Sequence, residues 1–484
     1  MQRAFKIALF IFISLLNSHA QSSKTGYTFE LGTYFSVTNK MPFWQANNQY
    51  GVVPQTGQSI ICKQSIYSKK DTIPKKYAFK YGVELATIVG RNAQILLPQA
   101  FISQKFGAFQ LWAGRKKEKM GIMDTLMTSG SVTWSGNALP IPKIQLEIPE
   151  YRKLLFNWLS VKGFYSHGWF LNQTFVKNYY LHQKSLYLRL GKPNAVLKLH
   201  GGLLHNVQWG GTPKYKLPEG DSRFFNGTFS HDWFTYSQVV LPLKHLGEGY
   251  GTYNSFELTN RFGNHVGQLD IATELDFKNS NWLFYKQNVF ETGAFLSSLT
   301  NADDGLYGIS YKSRKKRFFK TITTEFLYTK NQGTYQSFLP KLLGLQDRQF
   351  GNQTFFFNHM QYLDGWSYND MPIGSPFLLP QEKLRIEKQS GVNSNFTNNN
   401  RVIAYYLGMI NQINSVNIET RISYSQNFGA FGFPIKPARQ LSTSFKAIIP
   451  AQKLRGNLVF NIAIDQGDLI KDNYGVCVSY MRAW

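Results

Sequence analysis

Residues 129–170 read SGSVTWSGNALPIPKIQLEIPEYRKLLFNWLSVKGFYSHGWF. The stretch holds three prolines and three tryptophans, namely Pro140, Pro142, Pro149, Trp134, Trp158 and Trp169. Because proline fixes φ and removes a backbone donor, residues 138–149 are predicted to form an extended loop, not a helix interior or a central strand. Residues 154–165 are apolar and aromatic, which predicts a strand. A proline-fixed aromatic loop suits either a surface that holds a ligand or a plug packed on a β scaffold.

The segments on either side show a two-residue hydrophobic period. In residues 268–277 the odd positions are apolar or threonine, whereas the even positions include Gln268, Asp270, Glu274 and Asp276. The same period recurs in residues 27–37, 79–89, 186–190, 322–328, 418–424, 441–449 and 458–464. This pattern predicts many strands, each with one apolar and one polar face.

Such alternation is typical of both soluble sandwiches and membrane barrels. Three features favour a barrel: the polar faces carry bulky charged groups, no long helical pattern is available to cover a sheet, and the chain ends on an alternating strand that finishes at Trp484. Aromatic residues make up 16% of the chain, as aromatic girdles would require. We therefore predict an all-β fold, a transmembrane antiparallel β-barrel closed on itself because hydrocarbon tolerates no unpaired edge.

Four segments do not have a strand pattern and are predicted as loops. They are residues 41–54, 114–148, 210–231 and 332–399. The last is long enough to be a loop system or a plug in the lumen. Its polar end, residues 393–400, is predicted as a flexible turn, and residues 150–159 are the one short helical candidate.

The N-terminus has the three parts of a secretory signal. Arg3 and Lys6 precede an apolar core at residues 7–16, and Ser18-His19-Ala20 is a cleavage site of small residues. We expect residues 1–20 to be a signal peptide, cleaved between Ala20 and Gln21. Residues 21–484 are expected to form a single barrel domain.

The formal net charge is +25, which favours polyanionic partners. Nucleic acid is not expected, because an exported chain without a nucleic-acid module would not meet it. Acidic surface polysaccharide, the phosphates of lipopolysaccharide and outer-membrane lipid are the expected partners. Alternatively, basic stretches such as residues 69–76 and 314–317 are solvated turns. Cys62 and Cys477, the two cysteines of the chain, are interpreted as incidental buried thiols.

No pattern indicates catalysis. The carboxylate pairs Glu147/Glu150, Asp303/Asp304 and Asp364/Asp370 have no spacing that would establish a hydrolytic site. The nine histidines include no HExxH motif and have no cysteine partners, so no metal and no cofactor are expected.

Loop segments that mix aromatic rings with amides, carboxylates and imidazoles favour carbohydrate binding. Aromatic rings accept the C–H faces of sugars, and the polar groups accept or donate to hydroxyls. The candidate residues are Trp44, Asn48, Trp134, Asn137, His167, Trp169, Trp209, Asp364, Trp366, Tyr368 and Asp370. For any single aromatic residue among them an interfacial belt is the favoured interpretation. Ligand contact is favoured for residues 364–370, where polar groups alternate with Trp366 and Tyr368.

Several segments together resemble the capsule assembly protein Wzi family, in its Bacteroidetes-type branch. They are SGNALPIPKIQL, KGFYSHGWF, YLHQKSLYLRLGKP, GGLLHNVQWGG and HMQYLDGWSYNDMPIGSPF, and the resemblance extends from about Met41 to the C-terminus. It implies an outer-membrane barrel of about eighteen strands that holds capsular or other surface polysaccharide on the cell.

Three functional hypotheses follow. The first is a non-enzymatic outer-membrane barrel that binds or anchors surface polysaccharide. The second is a porin or uptake channel, which requires an open lumen. The third is an outer-membrane hydrolase, which requires converging catalytic groups.

Overall fold

The structure is a computed structural model that describes residues 24–55, 57–69, 75–91, 93–154, 156–216, 222–223, 227–241, 253, 255–292, 299–315, 318–345, 354–388 and 396–484. The expected signal peptide and its cleavage site at Ala20 and Gln21 lie outside these residues, as do parts of the basic stretches 69–76 and 314–317.

The regular secondary structure of the described residues consists almost entirely of strands. In chain order they are β1 (Thr25–Ser36), β2 (Ser59–Ser68), β3 (Tyr77–Gly90), β4 (Gln94–Phe106), β5 (Phe109–Arg115), β6 (Lys143–Lys153), β7 (Leu159–Asn172), β8 (Val176–Leu190), β9 (Leu197–Trp209), β10 (Thr212–Pro213), β11 (Asn264–Asp276), β12 (Ser280–Phe290), β13 (Gly305–Ser313), β14 (Phe319–Tyr328), β15 (Ser367–Tyr368), β16 (Met371–Pro372), β17 (Val402–Ile413), β18 (Val416–Ala430), β19 (Phe433–Ala451), β20 (Gly456–Gly467) and β21 (Asn473–Ala483).

Eighteen of these strands form a closed antiparallel barrel. Each strand pairs with its neighbours in sequence, and β1 pairs with β21 to close the ring, with Leu31 opposite Tyr480. The three two-residue strands are not part of the ring: β10 adds to the end of β8, and β15 pairs with β16. The predicted fold class, a transmembrane antiparallel β-barrel, is confirmed.

The alternation in the sequence separates the two faces of the wall. On β11, Gln268 and Asp270 are fully buried inside the barrel, whereas Ile271 is exposed on the outside. On β21, Val476 and Val478 likewise lie on the outer face, and Cys477 between them is buried. Cys62 has the outward position next to Ile60, so the two free cysteines occupy opposite faces of the wall.

The two ends of the barrel differ in the length of their connections. At the end where β1 begins and β21 finishes, here called the short-turn end, connections such as 107–108 and 414–415 are tight. At the opposite end, the long-loop end, four connections are long: residues 37–58, 116–142, 210–263 and 329–401. These contain three of the predicted loop segments, residues 41–54, 210–231 and 332–399, and most of the fourth, residues 114–148.

Two local predictions in this region are wrong. Residues 143–153 form strand β6 and not a loop, although the strand contains Pro149. Its pairing with β7 shifts register between Ile148 and Arg152, and its pairing with β5 ends at Glu147, so Pro149 lies where no ladder hydrogen bond is required of it. Among residues 150–159, the helical candidate, residues 150–153 end β6, residues 156–158 lie in a turn and residue 159 begins β7.

The described residues of the connections include four short helices, α1 (Phe43–Ala46), α2 (Trp233–Val240), α3 (Ser255–Asn260) and α4 (Phe338–Leu342), and 3-10 turns at Gln381–Lys383 and Gln452–Leu454. Asp232 caps α2 by accepting from the Thr235 amide at 2.7 Å. Among the described residues, no helix is long and apolar enough to cross a bilayer.

Candidate functional site: a plugged lumen and its loop face

The lumen is filled by the long loops, which pack into one aromatic core. Trp44 from the first loop, Trp134 from the second and Trp366 from the fourth are all buried in this core. The rings of Trp134 and Trp366 lie 6.2 Å apart, and Phe377 contacts both Phe43 and Trp44. The loops therefore form a plug inside the barrel.

Carboxylates on the inner wall fix the plug by accepting hydrogen bonds from its backbone. Glu325 on β14 accepts from the Ser129 amide at 2.7 Å and the Thr128 hydroxyl at 2.6 Å. Asp270 on β11 accepts from the Ile122 amide at 2.8 Å. Buried acceptors of this kind need such donors, since an unsatisfied buried carboxylate is costly.

Two wall glutamines continue this anchoring along residues 131–133. The Gln268 side chain accepts from Thr133 Oγ1 at 2.9 Å and from Ser131 Oγ at 3.0 Å. The Gln287 side chain accepts from the Val132 amide at 3.1 Å and donates to the Ile122 carbonyl at 3.2 Å. The wall also touches the plug directly, because a Cβ at Gly408 would lie 2.4 Å from the Met127 carbonyl oxygen.

Five of the residues predicted to bind carbohydrate are buried in this plug. Trp44 Nε1 donates to Ser423 Oγ at 3.0 Å, and Trp366 Nε1 donates to the Thr133 carbonyl at 2.7 Å. The Tyr368 hydroxyl accepts from Arg115 at 3.2 Å. Trp134 and Asn137 complete the set. These side chains show no open face to solvent, so the structure gives them a packing role, and their contact with glycan stays a prediction.

Two more predicted residues lie at the long-loop end. Asn48 is half-buried, and its side chain donates to the Ser129 carbonyl at 2.7 Å. Asp370 is exposed in the tight turn between β15 and β16, where Asn369 and Asp370 both have positive φ, as a two-residue hairpin requires.

The remaining aromatic candidates lie outside the lumen. His167 and Trp169 on β7 and Trp209 on β9 point outward and pack under helix α2. The His167 ring is 5.3 Å from Trp169, 5.8 Å from Trp209 and 6.0 Å from Tyr236 of α2. The structure therefore separates these three residues from the plug and assigns them to the attachment of α2 to the outer wall.

Asp364 holds the plug to the turn between β7 and β8. Its carboxylate accepts from the Phe175 amide at 3.0 Å and the Val176 amide at 3.0 Å. Burial raises the pKa of Asp364 to about 6, although these hydrogen bonds act in the opposite direction.

A pH dependence of this contact follows. The folded pKa of Asp364 lies above its ordinary value of 3.8, so its contribution to stability is greatest below pH 4 and is lost as the pH rises through 6. The measurement is hydrogen exchange of the Phe175 and Val176 amides, from which the free energy of local opening is obtained for the wild type and for Asp364→Asn at each pH. We expect the difference between the two proteins to change across this interval by about 3 kcal/mol, with the wild type losing stability as the pH rises. A pH-independent difference between the two proteins would contradict the assignment.

The predicted carboxylate pairs show no common catalytic arrangement. Glu147 is bonded to Gln110 at 3.0 Å and Gln145 at 2.6 Å, whereas Glu150 is largely exposed. Asp304 accepts from two backbone amides, of Asn331 and Gln332. Within the described residues, no group of three or more His, Cys, Asp or Glu side chains is placed to hold a metal ion.

A basic patch at the long-loop end was not recognised from the sequence. Arg385, Arg439 and Lys471 are exposed and come from three different segments, which the backbone brings together. The Arg385 amide donates to the Leu469 carbonyl at 2.8 Å, and the Asp468 amide donates to the Arg439 carbonyl at 2.7 Å. We call these three residues the loop-face patch. The signal was present only as cations in the turns beside β19 and β20.

The acids beside this patch are occupied by backbone donors. Asp472 accepts from the Gly467 amide at 2.9 Å, and Asp468 accepts from the Arg439 amide at 3.4 Å. The Arg385 guanidinium also donates to the Gly467 carbonyl at 3.3 Å. All three cationic side chains are exposed, so they can meet an anionic polymer.

A further cavity lies on the outside of the wall. It has a volume of about 990 Å³ and is lined by Leu199, Ile271, Phe284, Ile309, Phe326 and Tyr405, among other residues of β9–β18. Most of its lining side chains are apolar residues of the outer face, although inner-wall residues such as Glu325 also border it, so we assign it to the outer surface of the barrel.

No family model matches the chain, and no curated protein sequence matches it. Among solved structures, it is similar to Escherichia coli Wzi, described as an outer membrane protein involved in group 1 capsule assembly and a carbohydrate-binding β-barrel. The TM-score is 0.53 at 12% identity, covering 93% of this chain and 83% of that chain.

Two Pseudomonas aeruginosa proteins also match. OccD3 (OpdP) has a TM-score of 0.44 at 8% identity, covering 96% of this chain and 92% of that chain. OccK5 (OpdH) has a TM-score of 0.46 at 8% identity, covering 95% and 98%. At 12% identity, the likeness to Escherichia coli Wzi shows the fold alone. The chain is a barrel of the outer-membrane type, and the resemblance to the Wzi family is supported at that level.

Proposed function

We propose that this chain is a non-enzymatic outer-membrane barrel that binds acidic surface polysaccharide and holds it at the cell. In bacterial barrels the short turns lie in the periplasm and the long loops lie outside. In that orientation the loop-face patch and Asp370 are presented to the cell exterior.

The observation that carries this proposal is the plug. An eighteen-strand barrel would otherwise leave an aqueous channel. Here wall carboxylates and glutamines hold buried loop segments across the lumen. In a barrel closed in this way, the external loop face is the surface available for ligand binding. The fold it shares with Escherichia coli Wzi adds support, since that protein is described as carbohydrate-binding.

The proposal for an acidic ligand rests on charge. The chain carries +25 overall, and Arg385, Arg439 and Lys471 are exposed without a carboxylate within ion-pair distance in the described part of the chain. Carboxylates or phosphates on a glycan pair well with guanidinium groups.

A deletion strain tests the proposal in the cell. We expect surface glycan to be synthesised but released, so that cell-bound glycan falls and shed glycan rises. The strain is then complemented with a variant that carries Arg385→Gln, Arg439→Gln and Lys471→Gln together. We expect the purified variant to bind acidic glycan about tenfold more weakly than wild type, because three exposed charge contacts are removed.

The matched control removes the same charge from the short-turn end, with Lys192→Gln, Lys453→Gln and Arg455→Gln. This variant should retain glycan. Unchanged cell-bound glycan in the deletion strain would refute the proposal, and equal loss in both variants would refute the role of the loop-face patch.

A further inference from the structure

Two cations on the inner wall of β7 and β8 lie near the short-turn end, which is the opposite end of the barrel from the loop-face patch. Lys162 is the cross-strand partner of Tyr187, and Arg189 is the partner of His200. Lys162 Nζ lies 4.8 Å from the centroid of the Tyr151 ring and 5.1 Å from that of Tyr187. Arg189 Cζ lies 4.8 Å from the same Tyr151 ring. Both cations therefore converge on one tyrosine.

Neither cation has a carboxylate partner among the described residues, unlike other cations of the lumen. Lys63 lies 2.9 Å from Glu30, Lys446 lies 3.1 Å from Glu419, and Lys198 lies 2.8 Å from Asp276. Arg189 reaches only Ser160 Oγ, at 3.4 Å, and its buried Nε has no acceptor.

The acids close to these cations are already engaged. Asp270 accepts from the Ile122 amide, the Gln268 side chain and the Tyr187 hydroxyl, the last at 3.1 Å. Glu274 bonds to His200 at 3.0 Å and to Asn281 at 2.8 Å. Two cations without an ion-pair partner and one buried donor without an acceptor thus face the lumen, and a bound anion would stabilise all three groups.

We propose that Lys162, Arg189 and Tyr151 form a binding site for an oxyanion, a carboxylate or a phosphate, on a ligand that enters from the short-turn end. Lys162 and Arg189 are half-buried on the part of the inner wall nearest the short-turn end, and the ligand reaches them from that end. The guanidinium donates to the oxyanion and the ammonium adds a second donor, while the Tyr151 ring holds both cations in place through cation–π contacts.

Calorimetric titration of the purified full-length protein in detergent tests the site. The probes are galacturonic acid trimer for the carboxylate and inorganic phosphate for the phosphate, with maltotriose as the neutral control. All titrations use the background Arg385→Gln/Arg439→Gln/Lys471→Gln, so that the loop-face patch does not contribute. We expect saturable binding of at least one anion and none of maltotriose.

Lys162→Gln/Arg189→Gln should weaken this binding at least tenfold, and Lys162→Arg should retain it. The matched control Lys80→Gln/Lys105→Gln removes two charges from β3 and β4 and should bind as the background protein does; heat-modifiability on gels confirms that each variant is folded. Absence of anion binding in the background protein, or equal loss in the control, overturns the proposal. Either result leaves the glycan-retention test of the loop face unaffected.

Discussion

Deletion of residues 122–133 is expected to convert the closed barrel into an ion-conducting channel. This segment contributes Ile122, Thr128 and Ser129 to the contacts with Asp270 and Glu325 on the wall. The junction is feasible, because the Met120 amide already donates to the Trp134 carbonyl at 3.1 Å. Water would enter the vacated space and hydrate the wall carboxylates. Conductance in planar bilayers should rise at least about tenfold over wild type, as for barrels of this size without a plug.

The control deletion removes the same number of residues from the exposed segment 334–345, which contains helix α4 and Phe338 on the protein surface. That variant should remain as closed as wild type. High conductance of the wild-type protein would instead favour the channel hypothesis and contradict the closed lumen on which the proposed function rests.

Replacement of Trp366 by alanine is expected to detach the fourth loop from the plug. The ring is 0% exposed and donates to the Thr133 carbonyl, so the variant creates a cavity and leaves a buried acceptor unsatisfied. We expect the free energy of opening of the plug, measured by hydrogen exchange, to fall by about 3–5 kcal/mol.

Trp233→Ala is the matched control, since this tryptophan is 84% exposed on α2. It should change the opening free energy by less than about 0.5 kcal/mol. Trp366→Phe separates the two causes: it retains most of the packing and loses the hydrogen bond, which should cost about 1–3 kcal/mol. Similar protection in Trp366→Ala and wild type would show that this ring does not hold the plug.

The barrel could be predicted because its signal is local. Alternation along β11 separates Gln268 and Asp270 from Ile271 without knowledge of any partner strand. The plug segments were recognised by lack of that alternation. Pro149 was misinterpreted because a register shift, which only the pairing of β6 with β7 reveals, places it where its missing donor has no consequence.

Other features depend on contacts that the sequence does not contain. Residues 393–400 were predicted as a flexible turn, yet the part that the structure describes, residues 396–400, is buried. The asparagine amides of this part satisfy backbone and side-chain groups of other segments. Asn400 donates to the Phe356 carbonyl at 3.2 Å, and Asn399 donates to Asn427 Oδ1 at 2.9 Å. Aromatic residues that suit a sugar face equally suit a packed interior, and composition alone does not distinguish the two.

The first loop is held by the last hairpin of the chain. The Phe43 amide donates to Asp465 at 2.8 Å, Gln45 donates to the Asn461 carbonyl at 3.2 Å, and Ser36 donates to Asn473 at 2.7 Å. These partners are separated by more than 400 positions in each case. During biogenesis the early loop is consequently made long before the groups that fix it. The strands β20 and β21 both hold this loop and complete the ring. We therefore expect closure of the barrel and docking of the first loop to occur in the same assembly step.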